Sequence, residues 1–448
     1  MRADTIAAIA TAPGEGAVGI VRISGPEAPI VAERIVCRRL RDRRAVFARF
    51  RWPDGGELLD EGLALLMRGP RSYTGEDVVE LHGHGGTLVL RRLFEAVLVA
   101  GARAAEPGEF TLRAFLNGRL DLTQAEAVLA LVQARTDGAA DLALAGLEGK
   151  LREPIRAARS AALELLAYLG ARADFPDEDV PLREIRPELA ALSASLDQLV
   201  AGAAFGLIER EGVRVAIVGR PNAGKSSLLN RLLRQERAIV TPVPGTTRDT
   251  LQESAILCGL PVVLIDTAGI RETADPVERL GVERSRASAA ASDLLLLVID
   301  ASAPLTHDDR ALLDLGFSGP RVVALNKSDL PAAVTADEPS LAGLSTVPVS
   351  ALTGAGVERL EQALYEAATA GRQRPAEGAA LSTVRQRDAA RRAAEHARAA
   401  LAGLEAGAPE DLLSVDLLAV VHALGELTGE DATEDLLDTI FSRFCIGK

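Results

Sequence analysis

The stretch GRPNAGKSS, Gly219 to Ser227, has the residue types and spacing to hold a phosphate chain. It satisfies GxxxxGK[ST], follows the apolar run VRVAIV, and leads into Leu228, Leu229, Leu232 and Leu233 at helical spacing. Strand, loop and helix in that order turn the backbone N–H groups of Asn222, Ala223, Gly224 and their neighbours onto phosphate oxygens. Lys225 adds a point charge for the β- and γ-phosphates, and Ser226, followed by Ser227, offers a hydroxyl to Mg²⁺. The partners of such a loop come in the expected order. GTTRD places Thr246 and Thr247 together, and Thr247 could reach Mg²⁺ and the γ-phosphate. VVLIDTAG reads as a buried strand ending in Asp266, an acid for the second sphere of Mg²⁺. Thr267, Ala268 and Gly269 follow, the last with an N–H for the γ-phosphate. VVALNKSD ends another strand in Asn326, Lys327, Ser328 and Asp329. The Asp329 carboxylate can accept from guanine N1–H and the exocyclic amine, donors that adenine does not present there. Ser350, Ala351 and Leu352, after the short strand TVPV, can back the base. Each motif sits at a strand end, where open α/β sheets bind ligands, and together they imply GTP.

Hydrolysis poses a separate problem. In many GTPases a Gln directly after DxxG orients the attacking water. Ile270 stands there and can neither orient nor deprotonate water; downstream lie Glu272, Asp275, Glu278 and Glu283. Asn222 raises a second possibility: its neutral carbonyl oxygen could bind a monovalent cation beside the β/γ bridge, replacing the charge of an arginine finger.

These residues need elements to position them. At 448 residues the chain is too long for one ordinary core and suggests two to four domains. Ala and Leu dominate, which favours helix. DLLLLVID reads as a buried strand, and no window reaches the length of uncharged apolar residues that a membrane span needs. Cys37, Cys258 and Cys445 lie far apart with no CxxC pair, against a disulfide framework or a Cys zinc site and as expected of a reducing cytosol. The N-terminus lacks a signal-peptide plan. A formal charge of −13 disfavours a sequence-blind nucleic-acid coat. It leaves room for RNA at local basic stretches such as CRRLRDRR and RQRDAARRAAEHAR, which otherwise read as solvated faces. The final FCIGK carries Cys445 and Lys448; a terminal Lys does not fit a prenylation signal.

GRPNAGKSSLLN, GTTRD, DTAGIRETADPVERLGVERS and NKSD resemble the G domain of the MnmE (TrmE) family of tRNA-modifying GTPases. GEGAVGIVRISGP, YTGEDVVELHGHGG and PGEFTLRAFLNGRLDLTQAEAV are similar to that family's N-terminal domain, and FCIGK to its C-terminal signature. The likeness spans essentially the whole chain, and its terminal segments are far more specific than the phosphate loop. It implies an α/β P-loop G domain (212–370) inserted into an α-helical domain (119–211 and 371–448), with an N-terminal α+β folate-binding and dimerisation domain (1–118). Two long alanine-rich, helix-like stretches on either side of the G motifs, 122–169 and 381–404, agree with this. Breakers at 176–187 and 371–378 mark the joints.

The resemblance also implies roles. K⁺ would be held by Asn222, Thr241, Val243 and Thr246, with Pro242 and Pro244 stiffening the loop. Glu278 would orient water once two G domains close face to face, which answers the Ile270 problem. A tetrahydrofolate derivative, 5-formyl- or 5,10-methylene-type, would meet Arg22, Glu80, Arg119 and Lys448; the family often carries Lys in place of Arg119. Cys445 would lie near it as a nucleophile or a small polar neighbour, Phe444 as a packing anchor, and His82 and His84 as loop residues rather than metal ligands. The activity implied is K⁺-stimulated, Mg²⁺-dependent GTP hydrolysis coupled to modification of the wobble uridine (U34) of certain tRNAs. It would be cytoplasmic, as a homodimer in a heterotetramer with an MnmG-like flavin-dependent partner, away from any membrane. A ribosome-assembly or signalling GTPase that binds RNA as a switch is the alternative. It would need a module such as a KH domain, and no GXXG clamp stands outside the nucleotide motifs. A GTP-dependent scaffold with a structural tail is a third reading.

Overall fold

The computed structural model describes residues 4–174, 181, 183–235, 252–266, 289–369 and 378–448. The chain forms two compact units. One comprises Met1–Leu129, Leu147–Leu163 and Leu418–Lys448; the other comprises Ala130–Gly146 and Glu164–Leu417.

The first unit is built on β1 (Ile6–Ile9), β2 (Gly16–Ser24), α1 (Ala28–Val36), β3 (Val46–Arg51), β4 (Leu58–Met67), β5 (Val78–Gly85), α2 (Thr87–Val99), β6 (Arg103–Ala104) and α3 (Glu109–Leu116). The sheet order is β3-β4-β5-β2-β1-β6, antiparallel except for β1 with β6. Strand alternation gives it two chemically different faces. Val21, Ile23, Val79 and Leu81 point into a core shared with Val31, Ile35, Leu93 and Val97 of α1 and α2. The residues between them, Arg22 on β2 and Glu80 and His82 on β5, therefore face the other way. Register then sets Arg22 directly opposite Glu80.

Four helices follow: α4 (Leu122–Gln133), α5 (Asp137–Leu147), α6 (Arg152–Asp174) and α7 (Arg186–Glu211). The stretch 122–169 is thus divided where its sequence suggested few breaks. Thr136 accepts from Ala139 N at 3.1 Å to start α5, and Gly149 turns the chain at φ +82° before α6.

The G region contains β7 (Val213–Val218), α8 (Lys225–Gln235), β8 (Gln252–Leu257), β9 (Leu260–Asp266), β10 (Leu294–Asp300), α9 (His307–Leu313), β11 (Arg321–Asn326), β12 (Ser345–Pro348) and α10 (Val357–Thr369). The sheet runs β12-β11-β10-β7-β9-β8, parallel except for the β8–β9 pair. Val215 and Ile217 pack towards Leu228, Leu232 and Leu360, whereas Ala216 and Val218 pack towards Leu312 and Leu313. Helices on both faces bury every residue of β10 and account for its unbroken apolar run.

α11 (Val384–Glu405), α12 (Glu410–Thr428) and α13 (Glu434–Phe441) complete the chain. α11 runs antiparallel to α7, with ion pairs Arg186–Glu405 at 2.8 Å and Arg398–Asp197 at 3.5 Å. It buries the small side chains Ala389, Ala390, Ala393, Ala394, Ala397 and Ala400. An 18-residue window of α7 has a mean hydropathy of 1.5, so by length and composition alone the helix would suffice to cross a membrane. The expectation that no window of uncharged apolar residues reaches spanning length stands, because Asp197 interrupts this one. The polar pairs with α11 and the buried Leu189, Leu192 and Leu196 suit a helix packed in a bundle. Within the basic stretch of α11, Arg387 and Arg391 pair with Asp388 and Glu395.

Candidate functional site

Two clusters of chemistry-bearing residues emerge. The first is a cavity of about 590 Å³ at the carboxyl ends of the G-region strands, lined by Gly224, Ser227, Asn230, Arg231, Asn326, Lys327, Asp329, Leu330, Ala351 and Leu352. Asn326 draws three motifs together. Its Nδ2 donates to Ala223 O at 2.8 Å, and its Oδ1 accepts from Ala351 N at 3.0 Å. Gly224 is required beside it, because at φ +91° a Cβ would lie 2.2 Å from Asn326 Nδ2. Ser350 Oγ donates to Asp329 Oδ1 at 2.6 Å and aims that carboxylate. Lys225 Nζ donates to Gly219 O at 2.8 Å and Arg220 O at 2.9 Å, inside the turn that a phosphate would fill. Ser226 is exposed in the first turn of α8, at the positive end of the helix dipole. Asn222 is exposed at φ +62°, and Ser328 N donates to Val349 O at 3.0 Å. Thr241, Val243, Thr246, Thr247, Thr267, Ala268, Gly269, Glu278 and the side chain of Asp266 lie outside the described residues.

Motif reading missed Asn230 and Arg231. They share a face of α8 with Ser227 at i+3 and i+4 spacing. Arg231 Nη2 donates to Thr353 O at 2.7 Å, so the helix behind the phosphate loop also holds the loop that backs the base.

The second cluster gathers on the polar face of the first unit's sheet. Arg22 Nε and Nη2 each lie 2.9 Å from Glu80 Oε1, and Nη1 donates to Gly447 O at 3.2 Å. The other Glu80 oxygen meets His82 Nε2 at 3.0 Å. Arg22 and Arg119 both stack on Tyr73, with guanidinium carbons 5.4 Å and 5.6 Å from the ring centre. Arg119 Nη1 also donates to Tyr73 O at 2.8 Å. The hydroxyls of Tyr73 and Thr111 share a hydrogen bond of 2.8 Å. Tyr73 therefore organises both cations; it lies within a quoted motif, but only the folded loop reveals its contacts.

The chain end enters this cluster by close packing. Phe444 is buried and stacks on Phe441 with ring centres 5.4 Å apart. Gly447, at φ +96°, approaches Ile9 so closely that a Cβ would sit 2.6 Å from its carbonyl oxygen. Lys448 is half-buried, and burial, then the neighbouring Arg22 charge, pushes its ammonium pKa below the ordinary lysine value. Cys445 is exposed. His82 and His84 lie in strand β5 and not in a loop as expected, because the ladder with β2 extends to Gly85 and that with β4 to His82. His84 pairs with Asp60 at 2.6 Å, and no group of three metal-ligating residues occurs among the described residues.

The combination of a G-type nucleotide cleft with this N-terminal cluster has relatives. The family model described as GTP-binding protein TrmE N-terminus matches residues 5–119, and that described as MnmE helical domain matches residues 122–445. Proteins named tRNA modification GTPase MnmE are similar along their whole length. That of Chloroflexus aurantiacus is 51% identical over 452 residues, covering 99% of this chain and 100% of the relative. That of Roseiflexus castenholzii is 52% identical over 462 residues, with 99% of each covered. That of Symbiobacterium thermophilum is 51% identical over 461 residues, with 100% of each covered. A nucleotide cleft built for guanine and full-length likeness at this level lead to one conclusion: the chain belongs to the MnmE family of tRNA modification GTPases.

Proposed function

We propose that this GTP hydrolase, stimulated by K⁺ and assisted by Mg²⁺, works in the cytoplasm. With an MnmG-like flavoprotein in a heterotetramer, it adds a carboxymethylaminomethyl-type group to C5 of wobble uridine in certain tRNAs. The observation that carries the reading is the meeting of Arg22, Glu80, Arg119 and the chain end around Tyr73. Cations beside one carboxylate suit a ligand with an amide-and-amino edge and an anionic tail. Lys448 supports this, because an ammonium depressed by burial and by Arg22 gains most from an incoming anion. A tetrahydrofolate has both features. Arg22, Glu80, Arg119 and Lys448 would hold it, and when bound it supplies the one-carbon unit. Glu80 would accept from the amino edge and the cations would pair with the tail, while exposed Cys445 stands nearby in sequence.

In the G region Asp329 selects guanine, Lys225 neutralises the phosphates, and Ser226 with Thr247 would hold Mg²⁺. The donor set fits a hard cation, since exposed Ser226 supplies an oxygen at a helix start. Asn222, Thr241, Val243 and Thr246 would hold K⁺, and Glu278 would orient water when the G regions of a homodimer close. The domain boundaries proposed are 1–118, 119–211, 212–370 and 371–448.

Reconstitution tests the proposal: full-length protein, flavoprotein partner, GTP, methylene-tetrahydrofolate and tRNA, with nucleosides resolved by mass. Modified wobble uridine is expected with wild type. Arg22→Ala should lower it more than about tenfold, the scale of losing charge-assisted bonds, while GTP turnover persists. Undiminished modification in Arg22→Ala would refute the folate site.

A further inference from the structure

Beside the nucleotide cleft lies a charged cluster in which Asp300 and Asp309, outside its motifs, meet Arg220 and Lys327 from two of them. Asp300 ends β10, and the parallel register sets it opposite Asn326, one residue from Lys327. Its side chain is 11% exposed. Oδ1 accepts from Ser302 Oγ at 2.6 Å and Ser302 N at 3.1 Å, which fixes the carboxylate plane. Oδ2 accepts from Lys327 Nζ at 2.7 Å. Arg220, inside the phosphate loop, places Nη2 3.7 Å from the same Asp300 oxygen and Nε 3.7 Å from Asp309 Oδ2. Asp309 is 2% exposed and caps α9 through Thr306; its Oδ1 is buried with no hydrogen-bond partner.

Lys327 leaves a sharply turned backbone, φ +64°, and lines the cavity. A lysine stem has four rotatable carbons, and an unheld one would sample many rotamers. Asp300 removes that freedom from outside the cavity. Arg220 lies within ion-pair reach of two carboxylates but beyond hydrogen-bond length from either, so it is attracted to both and locked to neither. Its backbone carbonyl accepts from Lys225 Nζ at 2.9 Å.

We propose that Asp300 is a positioning residue that holds Lys327 against the nucleotide and, through Arg220, couples the phosphate loop to the grip on the base. Asp300 remains ionised in this role: burial opposes its charge, but the Lys327 and Ser302 hydrogen bonds outweigh burial and hold its carboxyl below the usual range. A shift of the phosphate loop changes the Arg220–Asp300 attraction, and the same carboxylate orients Lys327. The two halves of the cleft thus share one anion.

The test uses the full-length protein, a fluorescent GDP analogue for affinity, and steady-state GTP turnover. Asp300→Asn keeps shape and the Ser302 contact but removes charge. GDP affinity should fall about tenfold, the value of a charge-assisted bond, and KM for GTP should rise alike while kcat changes less than about twofold. Asp300→Glu should recover most of the affinity. Arg220→Gln should weaken GDP about threefold, and the double variant should bind within about twofold of Asp300→Asn alone, as shared partners are non-additive. Asp293→Asn, which breaks the exposed Arg214–Asp293 pair (3.1 Å) at the other end of β10, should bind GDP as wild type does and controls for lost domain stability. Wild-type GDP affinity in Asp300→Asn, a fall in kcat with KM unchanged, or strict additivity with Arg220→Gln would overturn the proposal. If Asp300→Asn does not fold, unchanged GDP affinity in Arg220→Gln would overturn the coupling by itself.

Discussion

At Arg22 one guanidinium serves a carboxylate, a carbonyl from the chain end and two aromatic faces, Tyr73 and Phe110. Motif likeness had singled out Arg22, Glu80, Arg119 and Lys448. Tyr73 and His82 were not legible, because their roles come from a loop folding back and from a strand register that no local pattern states. Arg231 was missed for a similar reason, since its partner Thr353 lies 122 residues away. Two predictions belong to this scale. Glu278→Gln should bind GTP almost normally but hydrolyse it about 10²-fold more slowly, as for loss of a general base; fast turnover in single-turnover assays would remove Glu278 from the mechanism. Lys448 gives a pH test. An anionic ligand favours its charged form, so affinity should be greatest below the folded-state pKa and decline as pH rises through it. Because that pKa is depressed, the decline should begin at lower pH than for an ordinary lysine, and Lys448→Ala should abolish it. Folate titrations across alkaline pH read this directly.

At the scale of elements, what could be read was periodicity. The run DLLLLVID declared β10, and the apolar spacing after the phosphate loop declared α8. The divisions of 122–169 did not announce themselves, as Thr136 and Gly149 are weak signals in an alanine-rich background. Nor did the charged lattice that holds α3. Arg113, 9% exposed, donates to Asp4 Oδ1 at 2.8 Å and Glu109 Oε1 at 2.9 Å, and pairs with Glu76 at 3.2 Å. Glu76 accepts from Ser24 at 2.8 Å, and Ser24 shares a 2.7 Å hydrogen bond with Thr74, next to Tyr73. Arg113→Ala would take a partner from buried Glu109 and from the half-buried Asp4 and Glu76, and should destabilise this unit by about 3 kcal/mol. Trp52, the only tryptophan, packs against this unit's core, so urea unfolding followed by its fluorescence checks the loss. For Asp4 and Glu109, burial opposes ionisation, but hydrogen bonds from Arg103 and Arg113 prevail and hold both carboxyls below their ordinary 3.8 and 4.5. Depressed carboxylates stabilise fully above the unfolded-state values and lose that contribution as pH falls through the folded ones. The same fluorescence should therefore show stability dropping below about pH 4.5, and a flatter acid limb in Arg113→Ala.

At the scale of the molecule, the order of motifs already placed an α/β nucleotide region between helical stretches, and the family matches agree with that order. That the chain end returns towards Arg22 was implied by the family likeness alone, since a contact spanning 425 residues leaves no trace in any local pattern. If K⁺ held at Asn222 replaces part of an arginine finger, as proposed, GTP turnover in K⁺ should exceed that in Na⁺ by about tenfold or more; equal rates would dismiss the K⁺ site. The central claim is that this returning end completes a folate site. Calorimetric titration of 5-formyl-tetrahydrofolate into the full-length protein tests it most directly. Saturable one-to-one binding is expected, weakened by about tenfold or more in Arg22→Ala and in Lys448→Ala, the cost of losing a charged hydrogen bond. No binding to wild type, or equal affinity in all three proteins, would contradict it.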